Sequence, residues 1–298
     1  MKEEILVSVI VPCYNHGQFI KEAIQSIQTD IAHEIIIVDD GSTEIETLDI
    51  LKELSNSYCV LTQKNRGVSA ARNSGIEIAK GKYIIPLDAD NLLTREIFEK
   101  GVTLLEQDLA IDVVYGDKLV FGGLQYFSRN RPFNLECFLY HHHIDTCALF
   151  RKTIWEKVNG YDEEMPFNTL EDWAFWLSVA ELGGKFAYVP TTFFYYRFRR
   201  ESKVRLLNSR SEVRLAMTKY LLVKKESVLS FGLREGMIQH VEAVQLQIKW
   251  RWALVYYAFK ANSFQDIHGS IQFIKEKVGW AAGVRLLYGM VRNRLKSS

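Results

Sequence analysis

The chain has 298 residues, of which 48% are hydrophobic and 24% charged, a composition ordinary for a soluble globular protein. Its formal net charge of +1 supplies no strong positive field, which argues against nucleic acid as a partner. No stretch approaches the roughly 18 uncharged apolar residues of a spanning helix, and the acidic start is a poor signal peptide. We therefore expect a cytoplasmic protein, or one held peripherally on the inner face of the cell membrane.

Strand-like and helix-like segments alternate through the N-terminal half. Buried strands are predicted at residues 6–11, 35–38, 60–62, 83–87 and 113–115. Helices are predicted at residues 19–27, 48–54, 68–79 and 97–105, with Gly81 in the C′ position of the third. Such a βαβα order predicts an α/β fold with a mostly parallel sheet covered by helices. The four cysteines share no metal-like spacing and are expected to be free, mostly buried thiols.

Acidic residues follow two of the predicted strands. Asp88-Ala89-Asp90 ends the fourth strand, and Asp39-Asp40-Gly41-Ser42 ends the second. The loop after the first strand carries Tyr14, and all three loops are expected along one sheet edge, where open α/β sheets bind ligands. Paired carboxylates there suit Mg²⁺ or Mn²⁺ bridging to a substrate diphosphate. The alternative is that D-x-D is only an acidic turn.

The first loop is not a glycine-rich phosphate cradle, because it contains neither G-x-G-x-x-G nor G-x-x-x-x-G-K-[ST]. Nucleotide recognition would then use side chains, with Tyr14 stacking on a base and Asp39 accepting a base N–H. Two alternatives stay open. Tyr14 is otherwise a half-buried loop aromatic. The segment Asp39-Asp40-Gly41-Ser42 is otherwise a tight turn with a helix cap, and one of the two aspartates is open to having only that role.

Four motifs resemble those of family 2 glycosyltransferases with the GT-A fold. They are Val9-Ile10-Val11-Pro12-Cys13-Tyr14-Asn15, Val38-Asp39-Asp40-Gly41-Ser42, residues 65–75 (NRGVSAARNSG) and Leu87-Asp88-Ala89-Asp90. The resemblance runs from about residue 5 to residue 200. It implies the Rossmann-like fold of nucleotide-diphospho-sugar transferases, and transfer of a sugar from a nucleotide donor to an acceptor hydroxyl with inversion. We expect a UDP-sugar donor, a glycan or lipid-linked acceptor, and a role in bacterial cell-surface polysaccharide synthesis.

The resemblance also implies roles for individual residues. Tyr14 and Asp39 match positions that hold the base, and Arg72 matches an arginine near the nucleotide. Asp88 matches an acid at the ribose and a metal water, and Asp90 matches the direct ligand of Mn²⁺ or Mg²⁺. Other residues of the matched motifs are expected to contact the donor, namely Pro12, Asn15 and Ala89.

A second acidic pair, Glu171-Asp172, opens a predicted helix and resembles the E-D motif of the family. Asp172 aligns with the catalytic base that takes the acceptor proton, and Glu171 is expected beside the substrate. The alternative is that acids in a first helical turn only complement the helix dipole. Many relatives carry a histidine near position 199, where this chain has Arg199, which we expect to contact phosphate directly.

Two segments on the acceptor side leave alternatives open. His141-His142-His143 looks like a metal tract, but adjacent residues of a strand point to opposite faces, so one histidine lining the acceptor cleft is the other interpretation. Residues 116–140 appear loop-like and aromatic in composition, and are expected to shape acceptor choice.

The predicted domains are a catalytic domain at residues 1–204 and a helical C-terminal region at residues 205–298. Within the first, residues 1–117 form the donor site and residues 118–204 the acceptor side. The tail at residues 284–296 mixes apolar and basic residues, which indicates either a helix lying on an anionic membrane or one packed on the catalytic domain. The alternative to an enzyme is a non-catalytic nucleotide-sugar-binding or scaffold relative, against which the intact Asp90 and Asp172 argue.

Overall fold

The computed structural model describes residues 5–140, 142–165 and 169–199, and three single residues, Ala216, Tyr220 and Lys224. The predicted boundary at residue 204 and the helical C-terminal region stay predictions, because apart from those three positions they lie outside the described residues. None of the helices in the described part of the chain is long and apolar enough to cross a membrane.

Nine strands in the described residues form one sheet, in the order β3-β2-β1-β4-β8-β6-β9-β5, with β7 paired to β6. The strands are β1 (Val7–Cys13), β2 (His33–Asp39), β3 (Cys59–Thr62), β4 (Tyr83–Pro86), β5 (Leu92–Leu93), β6 (Val113–Gly122), β7 (Tyr126–Ser128), β8 (Leu149–Arg151) and β9 (Phe186–Phe198). The helices are α1 (Gly17–Gln25), α2 (Ile45–Leu54), α3 (Val68–Ile78), α4 (Thr103–Gln107), α5 (Leu135–Tyr140), α6 (Lys152–Lys157) and α7 (Glu171–Glu181).

The first four strands of the chain are parallel to one another, as predicted. All seven residues of β1 are buried, because helices cover both faces of the sheet and the strand needs no polar face. The second half of the sheet is mixed. Strand β8 is antiparallel to both β4 and β6, whereas β6 and β9 are parallel.

Two apolar clusters lie on opposite faces of this sheet. One includes Ile10 and Val38 with residues of α3, α6 and α7. The other includes Val9 and Val11 with residues of α1, α2 and the helical segment at residues 97–105. The alternation of Val9, Ile10 and Val11 between the two clusters is the two-residue period of a strand, so the sheet is the central layer of an α/β/α arrangement.

Three predicted element boundaries are wrong. Strand β1 continues through Pro12 to Cys13, because β4 ends opposite Ile10 and no strand requires an N–H from Pro12 on that side. Residues 97–102 form a π-helix that leads into α4. Residues 116–140 are not a plain loop, since β6 extends to Gly122 by pairing with β9 and is followed by β7 and α5.

The cysteine prediction is confirmed only in part. All four cysteines are free, as expected from their spacing. Cys13 and Cys147 are buried, and burial raises the pKa of both thiols, to about 11 for Cys13. Cys59 and Cys137 are exposed, so the thiols are not mostly buried.

Gly81 does not have the role predicted for it. Helix α3 ends at Ile78, one residue before the predicted end, and Gly81 is absent from the glycines with positive φ. The chain needs glycine there because a Cβ would lie 2.5 Å from the backbone nitrogen of Ser8. The Gly81 N–H also donates to Ser8 Oγ at 2.8 Å, so this close approach joins β1 to the turn before β4.

We predict that Gly81→Ala lowers the free energy of unfolding by about 1–3 kcal/mol, the usual cost of overpacking. The added methyl group would meet backbone atoms of β1, which have no room to move between two strands. Denaturant unfolding measures the change, and Lys80→Ala on the exposed neighbouring position is the control. Equal midpoints for Gly81→Ala and wild type would contradict this account.

Candidate active site

The loops that follow β1 and β2 are joined to each other at the carboxyl edge of the sheet. Asn15 has a left-handed backbone (φ 54°), and its Oδ1 accepts the N–H groups of Thr43 at 2.8 Å and Glu44 at 3.1 Å. The Asn15 N–H donates to Ser42 Oγ at 3.1 Å. Asn15 therefore connects the two loops and satisfies N–H groups just before α2, which is a structural role beside the predicted donor contact.

The two aspartates after β2 differ in their contacts. Asp40 accepts the Arg66 N–H with Oδ1 and the Gly67 N–H with Oδ2, both at 2.9 Å, and so fixes the loop before α3. Asp39 accepts the Ser42 N–H at 2.8 Å, which is the tight turn considered from the sequence. Both carboxylate oxygens of Asp40 are thus used to hold the loop before α3. Recognition of a base by Asp39 stays a prediction.

The structure places the other predicted donor residues on the same strands and loops. Tyr14 is half-buried in the loop after β1. Pro12 is buried within β1, and Ala89 is buried between the two acids of the strand end. Their contacts with a nucleotide stay predictions.

Arg72 connects the donor strand end to the start of α7. Its guanidinium is 2% exposed, with Nη2 2.8 Å from Asp88 Oδ1 and Nη1 2.7 Å from Glu171 Oε1. The guanidinium carbon also lies 5.5 Å from the centre of the Tyr161 ring. Burial acts to lower the pKa of Arg72, but the two carboxylates outweigh it and the net shift is upward. For Glu171 burial prevails over the arginine, and its pKa is raised.

Asp90, the second acid of the D-x-D motif, faces a different arginine. Its Oδ2 lies 2.8 Å from Arg199 Nη2, which is itself 3.1 Å from Nε2 of His16. Burial, reinforced by the Asp88 carboxylate, raises the pKa of Asp90 despite the arginine. The neighbouring Arg197 donates to the Asp90 carbonyl at 2.9 Å and fixes the turn. Arg199 thus lies beside the predicted metal motif, and its direct contact with phosphate stays a prediction.

Asp172 lies in the first turn of α7. Its Oδ1 accepts the Trp173 N–H at 2.8 Å, and its Oδ2 is 3.2 Å from Nε2 of His142. Leu170, the residue before the acidic pair Glu171-Asp172, has a left-handed backbone (φ 62°). This conformation costs a residue with a β-carbon roughly 1–2 kcal/mol. Strain of this kind persists where packing imposes it, often at functional sites.

The histidine tract differs from the strand predicted for it. His142 and His143 lie in an irregular segment before β8, and His141 is outside the described residues. His142 approaches Asp172, and the His143 ring contacts Phe138 and Tyr115. Across the described ranges, no group of three or more His, Cys, Asp or Glu side chains is arranged to hold a metal. The His142–Asp172 contact was missed because 30 residues separate them, although the tract itself was visible.

Comparison with known proteins decides the family. The family model of glycosyl transferase family 2 matches residues 8–158, about half of the chain. The chain belongs to this family. It is 41% identical over 111 residues to the uncharacterized glycosyltransferase YibD of Escherichia coli, covering 35% of this chain and 32% of that protein. It is 41% identical over 119 residues to the glycosyltransferase GlyG of Streptococcus pneumoniae, covering 38% of each.

A longer match is to chondroitin synthase of Escherichia coli, with 29% identity over 196 residues, 61% of this chain and 28% of that protein. The matches therefore span well under half of these relatives' own length. Among solved structures, S. aureus TarS 1–349 in complex with UDP-GlcNAc has a TM-score of 0.59 at 17% identity, covering 80% of this chain and 72% of that one. The mannosyltransferase PcManGT of Pyrobaculum calidifontis, with GDP-Man and Mn²⁺, has a TM-score of 0.57 at 17% identity, covering 97% and 84%. The predicted family and the GT-A fold are confirmed.

We predict that Arg72→Met destabilises the protein by about 3–5 kcal/mol, because it leaves the buried Glu171 carboxylate without its cation. The loss should be largest at neutral pH and smaller in acid. The pKa of Glu171 is higher in the folded state than in the unfolded state, so ionised Glu171 lowers stability as pH rises from the unfolded pKa through the folded one. Removing Arg72 raises the folded-state pKa further and so enlarges this loss.

Denaturant unfolding between pH 4 and 8 measures this loss. Arg66→Lys is the control, because the Arg66 side chain is 55% exposed and only 3.9 Å from its partner Glu163. A destabilisation of Arg72→Met that does not change with pH would argue that packing, and not the unpaired carboxylate, is responsible.

Proposed function

We propose that this protein is an inverting glycosyltransferase that moves a sugar from a nucleotide-diphosphate donor, a UDP-sugar, to an acceptor hydroxyl. Family membership supports sugar transfer. Nucleotide-sugar use is supported by fold neighbours whose structures contain UDP, UDP-GlcNAc or GDP-Man. The UDP-sugar follows the TarS complexes, which contain UDP and UDP-GlcNAc, and PcManGT with GDP-Man marks a GDP-sugar as the other donor to test.

One observation carries the proposal. Arg72 holds Asp88, at the strand end where nucleotide-sugar diphosphate would bind, and Glu171, the neighbour of the proposed base, on two nitrogens of a single buried guanidinium. A planar guanidinium fixes the direction of both hydrogen bonds. The donor-side acids and the acceptor-side acid are therefore kept at a set separation, which transfer between two bound sugars requires.

The donor side fits a divalent cation, Mn²⁺ or Mg²⁺. Asp88 and Asp90 offer hard carboxylate oxygens on one turn, and Mg²⁺ in phosphate-handling sites is commonly held by one or two carboxylates together with substrate phosphates. A bound ion would stabilise the negative charge that develops on the diphosphate leaving group. The Mn²⁺ in PcManGT supports the same choice.

The donor-site side chains have separate tasks in this proposal. Arg199 contacts the diphosphate, for which its guanidinium beside Asp90 is well placed. Tyr14 and Asp39 hold the base, and Arg72 orients Asp88 without losing its own charge. No proton is needed by a diphosphate leaving group, so a single base suffices, unlike hydrolysis by paired carboxylates.

Asp172 is the proposed base and removes the proton of the acceptor hydroxyl as that oxygen attacks the anomeric carbon. Glu171 is the less suitable of the two acids, since Arg72 already occupies Oε1 at 2.7 Å. Burial acts to raise the pKa of Asp172, but His142 and Arg72 outweigh it and the net shift is downward, which keeps Asp172 ionised. Inversion requires Asp172 to face the anomeric carbon opposite the diphosphate.

The biological setting is proposed from the relatives. The match to a bacterial chondroitin synthase supports a role in polysaccharide synthesis. The cell surface as its destination and a glycan or lipid-linked acceptor are part of the same proposal. A cytoplasmic enzyme, peripheral on the inner face of the membrane through residues 284–298, fits that setting. The second candidate, a non-catalytic nucleotide-sugar-binding relative, is disfavoured by the pairing of Asp172 with His142, an arrangement that binding a nucleotide does not require.

We predict that Asp90→Ala abolishes the Mn²⁺-dependent part of UDP affinity, because it removes the proposed direct ligand of the ion. Isothermal titration of UDP with and without Mn²⁺ measures it. Asp49→Ala, an exposed acid on α2, is the control and should keep the full metal effect. Metal-dependent UDP binding that survives in Asp90→Ala would rule out the assignment.

We predict that Asp172→Asn lowers transfer by roughly 10²–10⁴-fold, the usual worth of general base catalysis, while donor affinity stays near that of wild type. The amide keeps the shape of the side chain and removes its basicity. Glu171→Gln should lower transfer less, and the effect should come with lost stability because Arg72 then faces one carboxylate. The assay is donor hydrolysis or transfer with a UDP-sugar panel and Mn²⁺. Retained activity in Asp172→Asn with loss in Glu171→Gln would identify Glu171 as the base.

A further inference from the structure

The function proposed above uses the charge of the histidine beside Asp172 but gives its ring no role in positioning the base. His142 Nε2 lies 3.2 Å from Asp172 Oδ2, and the two side chains are 24% and 15% exposed. The other oxygen of Asp172 accepts the Trp173 N–H, so each carboxylate oxygen has a contact from a nitrogen. A carboxylate held at both oxygens has little freedom to rotate about its last bond.

The imidazole ring is itself held in place. It lies edge-on to Phe138, with ring centres 6.1 Å apart, and tilted against Trp173 at 6.2 Å. The indole of Trp173 donates to the Phe138 carbonyl at 3.1 Å and so ties α7 to α5. The position of the His142 ring is therefore fixed by its contacts with two aromatic side chains.

The charged groups around the pair are few in the described residues. Besides Asp172, the carboxylate of Asp145 and the ammonium of Lys118 act on His142 with opposite signs. These two are joined to each other at 2.6 Å and largely cancel at a distance. Arg72 acts on Asp172 from the other side. Asp172 is thus the main partner left for His142.

We propose that His142 is the positioning residue of the base: its buried Nε2, 3.2 Å from Asp172 Oδ2, pairs with that carboxylate as an ion pair and so holds it in one orientation towards the acceptor. This inference rests on the proposed role of Asp172. The Trp173 N–H occupies one lone pair of Asp172 Oδ1, which leaves lone pairs on both oxygens for the acceptor hydroxyl. His142 acts through Asp172 and does not itself take the acceptor proton.

The electrostatics agree with this geometry. Burial acts to lower the pKa of His142, but the Asp172 carboxylate outweighs it and the net shift is upward. The folded state therefore binds a proton on His142 more tightly than the unfolded state does. The stabilisation is complete below the unfolded histidine pKa and is lost as pH rises through the folded value.

The first test needs no substrate. In the full-length protein with ¹³C-labelled histidines, the Cε1–H signal that disappears in His142→Gln is assigned to His142 and titrated. We expect a pKa above the ordinary value in wild type and below it in Asp172→Asn, because burial is then opposed only by Asp145, whose effect Lys118 counters. His33→Gln, on β2 far along the chain from α7, provides a control assignment. A His142 titration that is the same in wild type and Asp172→Asn would overturn the proposal.

The second test separates orientation from charge. His142→Gln keeps an N–H donor near the position of Nε2, whereas His142→Ala removes it. With UDP-GlcNAc and Mn²⁺ as the probe reaction, we expect hydrolysis within about 3-fold of wild type at the optimum for Gln and a roughly 10- to 100-fold fall for Ala. The acid limb of the pH profile should move to higher pH in both, by about 1–3 units, because Asp172 loses the charge that lowers its pKa.

The outcomes are distinct. A pH profile of His142→Gln that superimposes on wild type overturns the proposal. So does a loss in His142→Gln as deep as that of Asp172→Asn, because His142 would then be the base itself. Full turnover by Asp172→Asn would instead refute the proposed base, whatever the titration of His142 shows.

Discussion

The buried guanidinium of Arg72 is the interaction on which the arrangement of the site depends. A cation whose side chain is 2% exposed is tolerated only because Asp88 and Glu171 both compensate it. Asp88 lies just after β4, and Glu171 is the first residue of α7. The packing of α3 beneath β1 and β2 brings Arg72 to this position, with Ala71 and Ile76 on the core side. Fold stability and site geometry therefore share one set of contacts.

The electrostatics of the site divide into two regions around this arginine. On the donor side, Arg199 stands against Asp90, and on the acceptor side His142 stands against Asp172. Asp90 and Asp172 are thus each paired with a cation of their own. Between the two regions, the positive charge of Arg72 is shared by Asp88 and Glu171. Such pairing keeps carboxylates at close quarters ionised, where burial and mutual repulsion would otherwise favour protonation.

The sequence predicted the donor half well, because its signals are local. Strands β1 to β4 read as apolar runs, and the acids at their ends follow within one or two residues. The acceptor half was predicted poorly, because it is built by long-range pairing. The extension of β6 to Gly122 depends on β9, some 70 residues later, and the contact of His142 with Asp172 depends on a loop meeting a helix. The hydrogen bond between Asn15 and Thr43 and the one between Asp40 and Arg66 likewise join residues that no local pattern connects.

The separation of Arg72 from Glu171 along the chain also bears on how the protein folds during synthesis. Strands β1 to β4 and helices α1 to α3 leave the ribosome about 80 residues before α7 does. During that interval Arg72 has Asp88 as a partner but lacks Glu171, and β4 lacks β8 along its open edge. We therefore expect the nascent donor half to stay loosely packed around α3, with an unpaired strand edge that chaperones would recognise, until α7 closes the network.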